Sequence, residues 1–91
     1  MFKTLEELIF VIRKRKATPS NESYTNKLLI DKKLSIEKVK EEIKELIDAI
    51  EKNSNKIHES ADVLYHLMVL LEANNIKIED VMEELKKRQK K

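Results

Sequence analysis

Apolar residues along this chain recur at helical rather than strand spacing. Leu5, Leu8, Ile9 and Ile12 fall at i, i+3, i+4 and i+7, and Thr4 with Glu7 three residues later matches a capping box, so a helix is predicted over Leu5 to Lys16. Ala17 to Glu22 is the one clear interruption, because Pro19 restricts the residue before it and the small polar residues favour turns. A short helix is predicted over Ser23 to Ile30, followed by a connection over Asp31 to Leu34. Ser35 is the expected N-cap of a third helix, in which Ile36, Val39, Ile43, Leu46, Ile47 and Ile50 form one narrow stripe for packing against another helix. That helix should end near Asn53. The fourth helix, Lys56 to Ala73, has a different pattern: from Val63 to Leu71 it is apolar almost all round, which predicts burial on every side. Asn74 and Asn75 are helix-ending residues, and Ile78 to Arg88 carries Val81, Met82 and Leu85 as a last amphipathic helix.

Five helical segments in 91 residues predict an all-α bundle forming a single domain over 1–91. A chain of this length cannot readily surround a helix that is apolar on every side, so the pattern also predicts an intertwined homodimer. Composition sharpens the picture by exclusion. The chain has no glycine, which removes P-loops and dinucleotide fingerprints, since those loops need a backbone without Cβ at fixed places. Any nucleotide must therefore be held by side chains. The absence of cysteine excludes a disulfide framework, thiolate metal sites and thiol nucleophiles, and the default compartment is the cytoplasm. Glu6 and Glu7 stand where a signal peptide would need an apolar run, and Leu67 to Leu71, a strictly apolar run that none in the chain exceeds, is far short of the ~20 residues that span a bilayer, so no membrane association is expected. A net charge of +2 is too even to predict nucleic-acid binding. The basic run Lys86, Lys87, Arg88, Lys90 and Lys91 lacks interleaved aromatics and reads as a solvated helix end.

The candidate chemistry lies in acids. Glu42 and Glu45 on the third helix, and Glu59 and Asp62 on the fourth, are pairs at i and i+3, so each pair projects from one face and can share a cation. Antiparallel packing of the two helices would let the pairs face each other. Four carboxylates converging without a counterion repel strongly, and an oxygen-only ligand set selects a hard cation, Mg²⁺ with Mn²⁺ as a substitute. Spacing alone is weak support, because chance supplies about two Glu-x-x-Glu pairs in a chain this rich in glutamate. Glu45 with Asp48 is one further acid pair that is assigned to no site. Position adds weight, because Asp62 leads directly into the most apolar stretch, where a solvated acid is least expected. His66, one turn beyond Asp62, is read as a buried core histidine able to hydrogen-bond to it, and not as a ligand.

Several blocks together carry a family resemblance: Ser23-Tyr24-Thr25, Lys27-Leu28-Leu29, Lys38 to Glu45, Glu59 to Leu71 with its Ala-Asp-x-Leu-Tyr-His core, and Asp80 to Arg88. Nearly the whole chain resembles the phosphoribosyl-ATP pyrophosphohydrolases of histidine biosynthesis, within the MazG-like all-α pyrophosphohydrolases whose signature is Glu-x-x-Glu followed by Glu-x-x-Asp. The chain departs from the usual pattern near Lys32 and at Lys40, where glycine is usual, and in slightly shorter connections, while keeping all four signature acids. The resemblance implies cleavage of phosphoribosyl-ATP between its α and β phosphorus atoms by metal-activated water. It implies metal binding by Glu42, Glu45, Glu59 and Asp62, with Glu42 or Glu45 accepting the water's proton. It further implies substrate contacts from Arg15, Ser23, Tyr24, Thr25, Lys27 and Lys38. A relative acting on another nucleoside triphosphate, or a non-catalytic helical dimer or nucleic-acid-binding module, are the competing readings.

Overall fold

The computed structural model describes residues 1–20 and 23–89. Five helices follow one another: α1 (Lys3–Ala17), α2 (Tyr24–Ile30), α3 (Lys32–Lys52), α4 (Lys56–Ala73) and α5 (Ile78–Arg88), and among the described residues there is no strand. The all-α expectation holds. Asn21, Glu22, Lys90 and Lys91, which belong to the predicted first loop and the basic tail, lie outside the described residues.

The core forms where α1, α2 and α4 meet. Ile12, Leu28, Leu29, Met68, Val69 and Ala73 are buried together, and Leu5, Leu8, Ile9, Leu34, Tyr65, Leu67, Leu71 and Ile78 pack around them. Leu28 and Val69 are fully enclosed, and each such side chain contributes about 1.5–3 kcal/mol relative to exposure. The α1 stripe is therefore used as the periodicity predicts.

Two predicted caps are corrected. α1 begins at Lys3 with Phe2 at the N-cap and no side-chain cap, so the Thr4–Glu7 box is not formed: Thr4 already lies inside the helix and cannot supply the cap oxygen. α3 begins at Lys32 and not after Ser35. Asp31 ends α2, its backbone N–H donating to the Lys27 carbonyl, and simultaneously caps α3 by accepting from Leu34 N–H (3.0 Å). The predicted Asp31–Leu34 connection thus shrinks to one residue, and a helix through Lys32 has no use for a glycine there. Ser35 is instead an interior residue, buried against the bundle. Ser23 does act as an N-cap, for α2, accepting from Asn26 N–H (3.3 Å).

The most extensive helix contact is between α3 and α4, joined by a tight reversal. Asn53 and Asn55 both take left-handed conformations (φ 55° each), a role glycine usually fills and asparagine tolerates best among the rest. Asn53 N–H donates to the Ile50 carbonyl and Ser54 N–H to the Ala49 carbonyl, which closes the end of α3.

The α3 stripe is the main correction to the sequence reading. Ser35, Val39, Glu42 and Ala49 are buried, with Leu46 half-buried between them, and this row alternates steps of four and three residues as a packed helix face must. Ile36, Ile43, Ile47 and Ile50 lie about a quarter-turn round the helix from that row, 43% to 57% exposed. The apolar residues of α3 therefore form two faces, of which only one is satisfied within the chain. α4 is likewise not covered on every side, since Leu64 remains 47% exposed.

Candidate metal centre and active site

Splitting α3 into two faces puts Glu42 inside. Its residue is only 9% exposed, held between α3 and α4 where Val39 and Ala49 bury the rest of the face. The short reversal then brings the start of α4 alongside. One carboxylate oxygen each from Glu42, Glu45 and Glu59 lies within 4.8 Å of the others, with Glu42 buried, Glu45 exposed and Glu59 half-buried. Asp62 is not a member of that set. It belongs to an overlapping one with Glu59 and His58, so Glu59 is the carboxylate common to both. An open hollow of about 240 Å³ at the α3–α4 reversal is lined by Glu45, Asp48, Lys52 and Glu59 among others. Asp48, the acid left unassigned from the sequence, thus borders the cluster.

The electrostatics are those of acids without a counter-charge. Glu42 Oε2 and Glu59 Oε2 are buried with no hydrogen-bond partner. Among the described residues no lysine or arginine comes within 4.0 Å of any of the four acids; only His58 does, at 3.3 Å from Asp62 and 4.0 Å from Glu59. Burial raises the Glu42 pKa above the ordinary carboxylate value, and the neighbouring Glu45 and Asp62 raise it further, with His66 opposing. Glu59 is raised in the same way, first by desolvation and then by Glu45.

Beside Glu42 lies a polar and aromatic cluster. His66 is buried, and the bond foreseen to Asp62 goes to its backbone: His66 Nδ1 lies 2.8 Å from the Asp62 carbonyl oxygen. A carbonyl can only accept, so Nδ1 carries the proton. Nε2 lies 3.0 Å from the Tyr24 hydroxyl and, when it bears no proton, accepts from it. Tyr65 and Tyr24 rings lie nearly parallel, 6.4 Å apart, and both meet His66 edge-on. The Thr25 hydroxyl bonds to the Tyr65 hydroxyl.

The predicted substrate residues are not all brought to one place. Tyr24, half-exposed, and Lys38, bonded to Glu41 at 3.4 Å, sit close enough to Glu42 for mutual electrostatic influence. Ser23, Tyr24 and Lys27 line a cleft of about 310 Å³ with Pro19, Ser20, Asn26 and Ile30. Ser23 and Thr25 have structural bonds that account for them. Arg15 is exposed on α1, and the structure brings neither it nor Lys27 within 4.0 Å of the acids. Two residues escaped the sequence reading. Asn26 is buried and ties the loop down, accepting from Ser20 N–H and donating to the Arg15 carbonyl, both at 2.8 Å. His58 is the other. Its position four residues before Asp62 was the available signal.

Residues 5–89 match the family described as phosphoribosyl-ATP pyrophosphohydrolase. The chain belongs to that family. Among relatives, a phosphoribosyl-ATP pyrophosphatase of Clostridium acetobutylicum is 48% identical, with 96% of this chain matched to 82% of that protein. One from Methanococcoides burtonii is 42% identical over 92% of this chain and 90% of its own. A histidine biosynthesis bifunctional protein HisIE of Pyrococcus furiosus is 46% identical over 94% of this chain, which spans only 41% of that longer protein. Family membership agrees with the resemblance carried by the Ser23-Tyr24-Thr25 and Glu59 to Leu71 blocks.

Proposed function

We infer that the chain hydrolyses phosphoribosyl-ATP to phosphoribosyl-AMP and pyrophosphate, the second step of histidine biosynthesis, at a cation site formed by Glu42, Glu45, Glu59 and Asp62. The family and the relatives named pyrophosphatases support the substrate and reaction. The observation that carries the site is the pair of buried, unpartnered oxygens, Glu42 Oε2 and Glu59 Oε2. A carboxylate stripped of both water and partners is tolerated only with a proton or a cation beside it. The Glu42, Glu45 and Glu59 donors are all oxygen, which fits Mg²⁺, with Mn²⁺ as a substitute. Such an ion supplies charge neutralisation at phosphate oxygens and acidifies a bound water.

The protein's own groups divide the remaining work. Glu42 and Glu45 are the candidates to take the proton of the attacking water: desolvation makes Glu42 more basic than an ordinary carboxylate, and Glu45 is open to solvent. Lys38 lies one turn before Glu42 and places an ammonium where a triphosphate would reach. Tyr24 is held by His66 and lines the neighbouring cleft. Arg15 and Lys27 remain candidates for outer phosphate contacts. The reading includes a homodimer in the cytoplasm, supported for the dimer by the uncovered Ile36, Ile43, Ile47 and Ile50 row.

The test is pyrophosphate release from phosphoribosyl-ATP, with ATP and deoxynucleoside triphosphates as comparison substrates, with Mg²⁺ and after chelation. Release that is strongest from phosphoribosyl-ATP and lost on chelation is expected. Preference for another triphosphate, or full turnover after chelation, would contradict the reading.

A further inference from the structure

His66 is a polar residue in the most apolar stretch of the chain, Val63 to Leu71, and is only 7% exposed. A buried imidazole is tolerated there because both ring nitrogens have partners. Nδ1 bonds to the Asp62 carbonyl of its own helix at 2.8 Å, which fixes the ring, and Nε2 reaches across to the Tyr24 hydroxyl of α2 at 3.0 Å. The ring also meets Tyr24 and Tyr65 edge-on, with centroids 5.9 and 5.0 Å away. Tyr24, the first residue of α2, is by contrast 47% exposed. It lines the cleft shared with Ser23 and Lys27, and lies close enough to Lys38 and Glu42 for mutual electrostatic influence. Tyr24 therefore stands on the border between the cleft and the acids. A half-exposed tyrosine at a helix start is ordinarily free to change rotamer, and the bond from a buried ring removes that freedom.

We propose that His66 is a positioning residue: it holds the Tyr24 hydroxyl at that border, where the hydroxyl bonds to an oxygen of the nucleotide that runs from the acids into the cleft. The proposal deepens the function proposed above and rests on it. With the phosphates at the acids and Lys38, the adjoining cleft of about 310 Å³ is open to the rest of the nucleotide. The neighbouring Thr25–Tyr65 bond is an internal comparison. It joins the same two helices one residue along, but among the described residues neither Thr25 nor Tyr65 lines the cleft. That bond supplies a staple between helices; the Tyr24–His66 bond also fixes a hydroxyl on a half-exposed residue. A hydroxyl already fixed costs less entropy to engage, which is the contribution of His66. Tyr24 borders the cleft and takes no part in the bond that breaks, so its contact is made alike in the ground and transition states and its loss belongs in KM.

The full chain and its variants are assayed for pyrophosphate release from phosphoribosyl-ATP at saturating Mg²⁺, with melting temperatures recorded alongside. Tyr24→Phe and His66→Phe each remove the bond and keep a ring; each is expected to raise KM about tenfold with kcat within about threefold. The double variant should be no worse than the more affected single one, because both lose the same contact. Tyr65→Phe breaks the neighbouring staple and should leave KM within about twofold. Should His66→Phe not fold, His66→Leu, equally unable to bond the hydroxyl, replaces it. An unchanged KM in Tyr24→Phe, increases that multiply in the double variant, or an equal increase in Tyr65→Phe would each overturn the proposal. Glu59→Gln, measured in parallel, separates the two readings. If it loses turnover while Tyr24→Phe keeps its KM, only the role of His66 and Tyr24 is wrong. If it keeps full turnover, the cation site is wrong whatever KM shows. An unaltered chain that releases no pyrophosphate from phosphoribosyl-ATP overturns both.

Discussion

Glu42 is buried, has an unpartnered oxygen and lies next to other acids, so its ionisation is coupled to folding. A carboxyl whose pKa is raised on folding binds its proton more tightly in the folded state. The sign follows: the metal-free protein is favoured at low pH, and the penalty for ionised Glu42 grows as pH rises upward from the ordinary value of 4.5. Glu42→Gln keeps the shape and removes the charge, so the melting temperature of the metal-free protein should rise above pH 6 and change little near pH 4. Scanning calorimetry at the two pH values checks this, and a lower melting temperature at neutral pH would contradict it. Glu51, exposed on α3, is a sound control for charge removal; Glu72 is not, since it accepts from Arg13 Nε at 3.2 Å and its carbonyl accepts from Lys16.

The sequence made the acids and the helices legible, but not which cap each helix uses or which face of α3 is inside. Caps are competitive: Thr4 and Ser35 have suitable side chains, yet helix starts are set where the chain turns, at Phe2 and Asp31. The apolar stripe on α3 misled because the four exposed isoleucines outnumber the apolar residues of the buried row, in which a serine and a glutamate occupy core positions. Asp31 carries two helix ends at once. Asp31→Ala should cost about 1 kcal/mol, whereas Thr4→Ala, exposed and uncapping nothing, should stay within about 0.5 kcal/mol. Urea denaturation of both variants measures the contrast, and equal losses would restore the Thr4 cap. Asn26 and His66 were less legible because their partners, the Ser20 amide, the Arg15 carbonyl and the Tyr24 hydroxyl, are brought to them only by tertiary packing.

At the scale of the whole molecule, two features bear on assembly and acid stability. α5 is tethered to α1 by Arg13, whose guanidinium donates to both Glu79 oxygens at 2.8 and 2.6 Å. That bond lowers the Glu79 pKa to about 2. A depressed carboxylate stabilises the fold above its unfolded value and ceases to do so as pH falls through the folded one, so the tether should loosen between about pH 4.5 and 2. Hydrogen exchange in α5 should rise across that interval, and Glu79→Gln should remove the pH dependence. The second feature is the open isoleucine row on α3. If it is covered by a second copy, Ile47→Glu should shift sedimentation from dimer to monomer with loss of stability. Sedimentation of the unaltered chain as a folded monomer at micromolar concentration would contradict the dimer. Among the described residues no helix is long and apolar enough to cross a bilayer.

The proposed function has the clustered acids working through a bound cation and not as surface charge. Its most direct test is pyrophosphate release from phosphoribosyl-ATP by Glu59→Gln at saturating Mg²⁺, set against Glu51→Gln. Glu59→Gln is expected to lose activity by more than the roughly 10–100-fold that a disturbed outer-shell partner costs a metal site, with the fold intact. Glu51→Gln should retain nearly full turnover. Activity falling equally in both folded variants, or in neither, would contradict it.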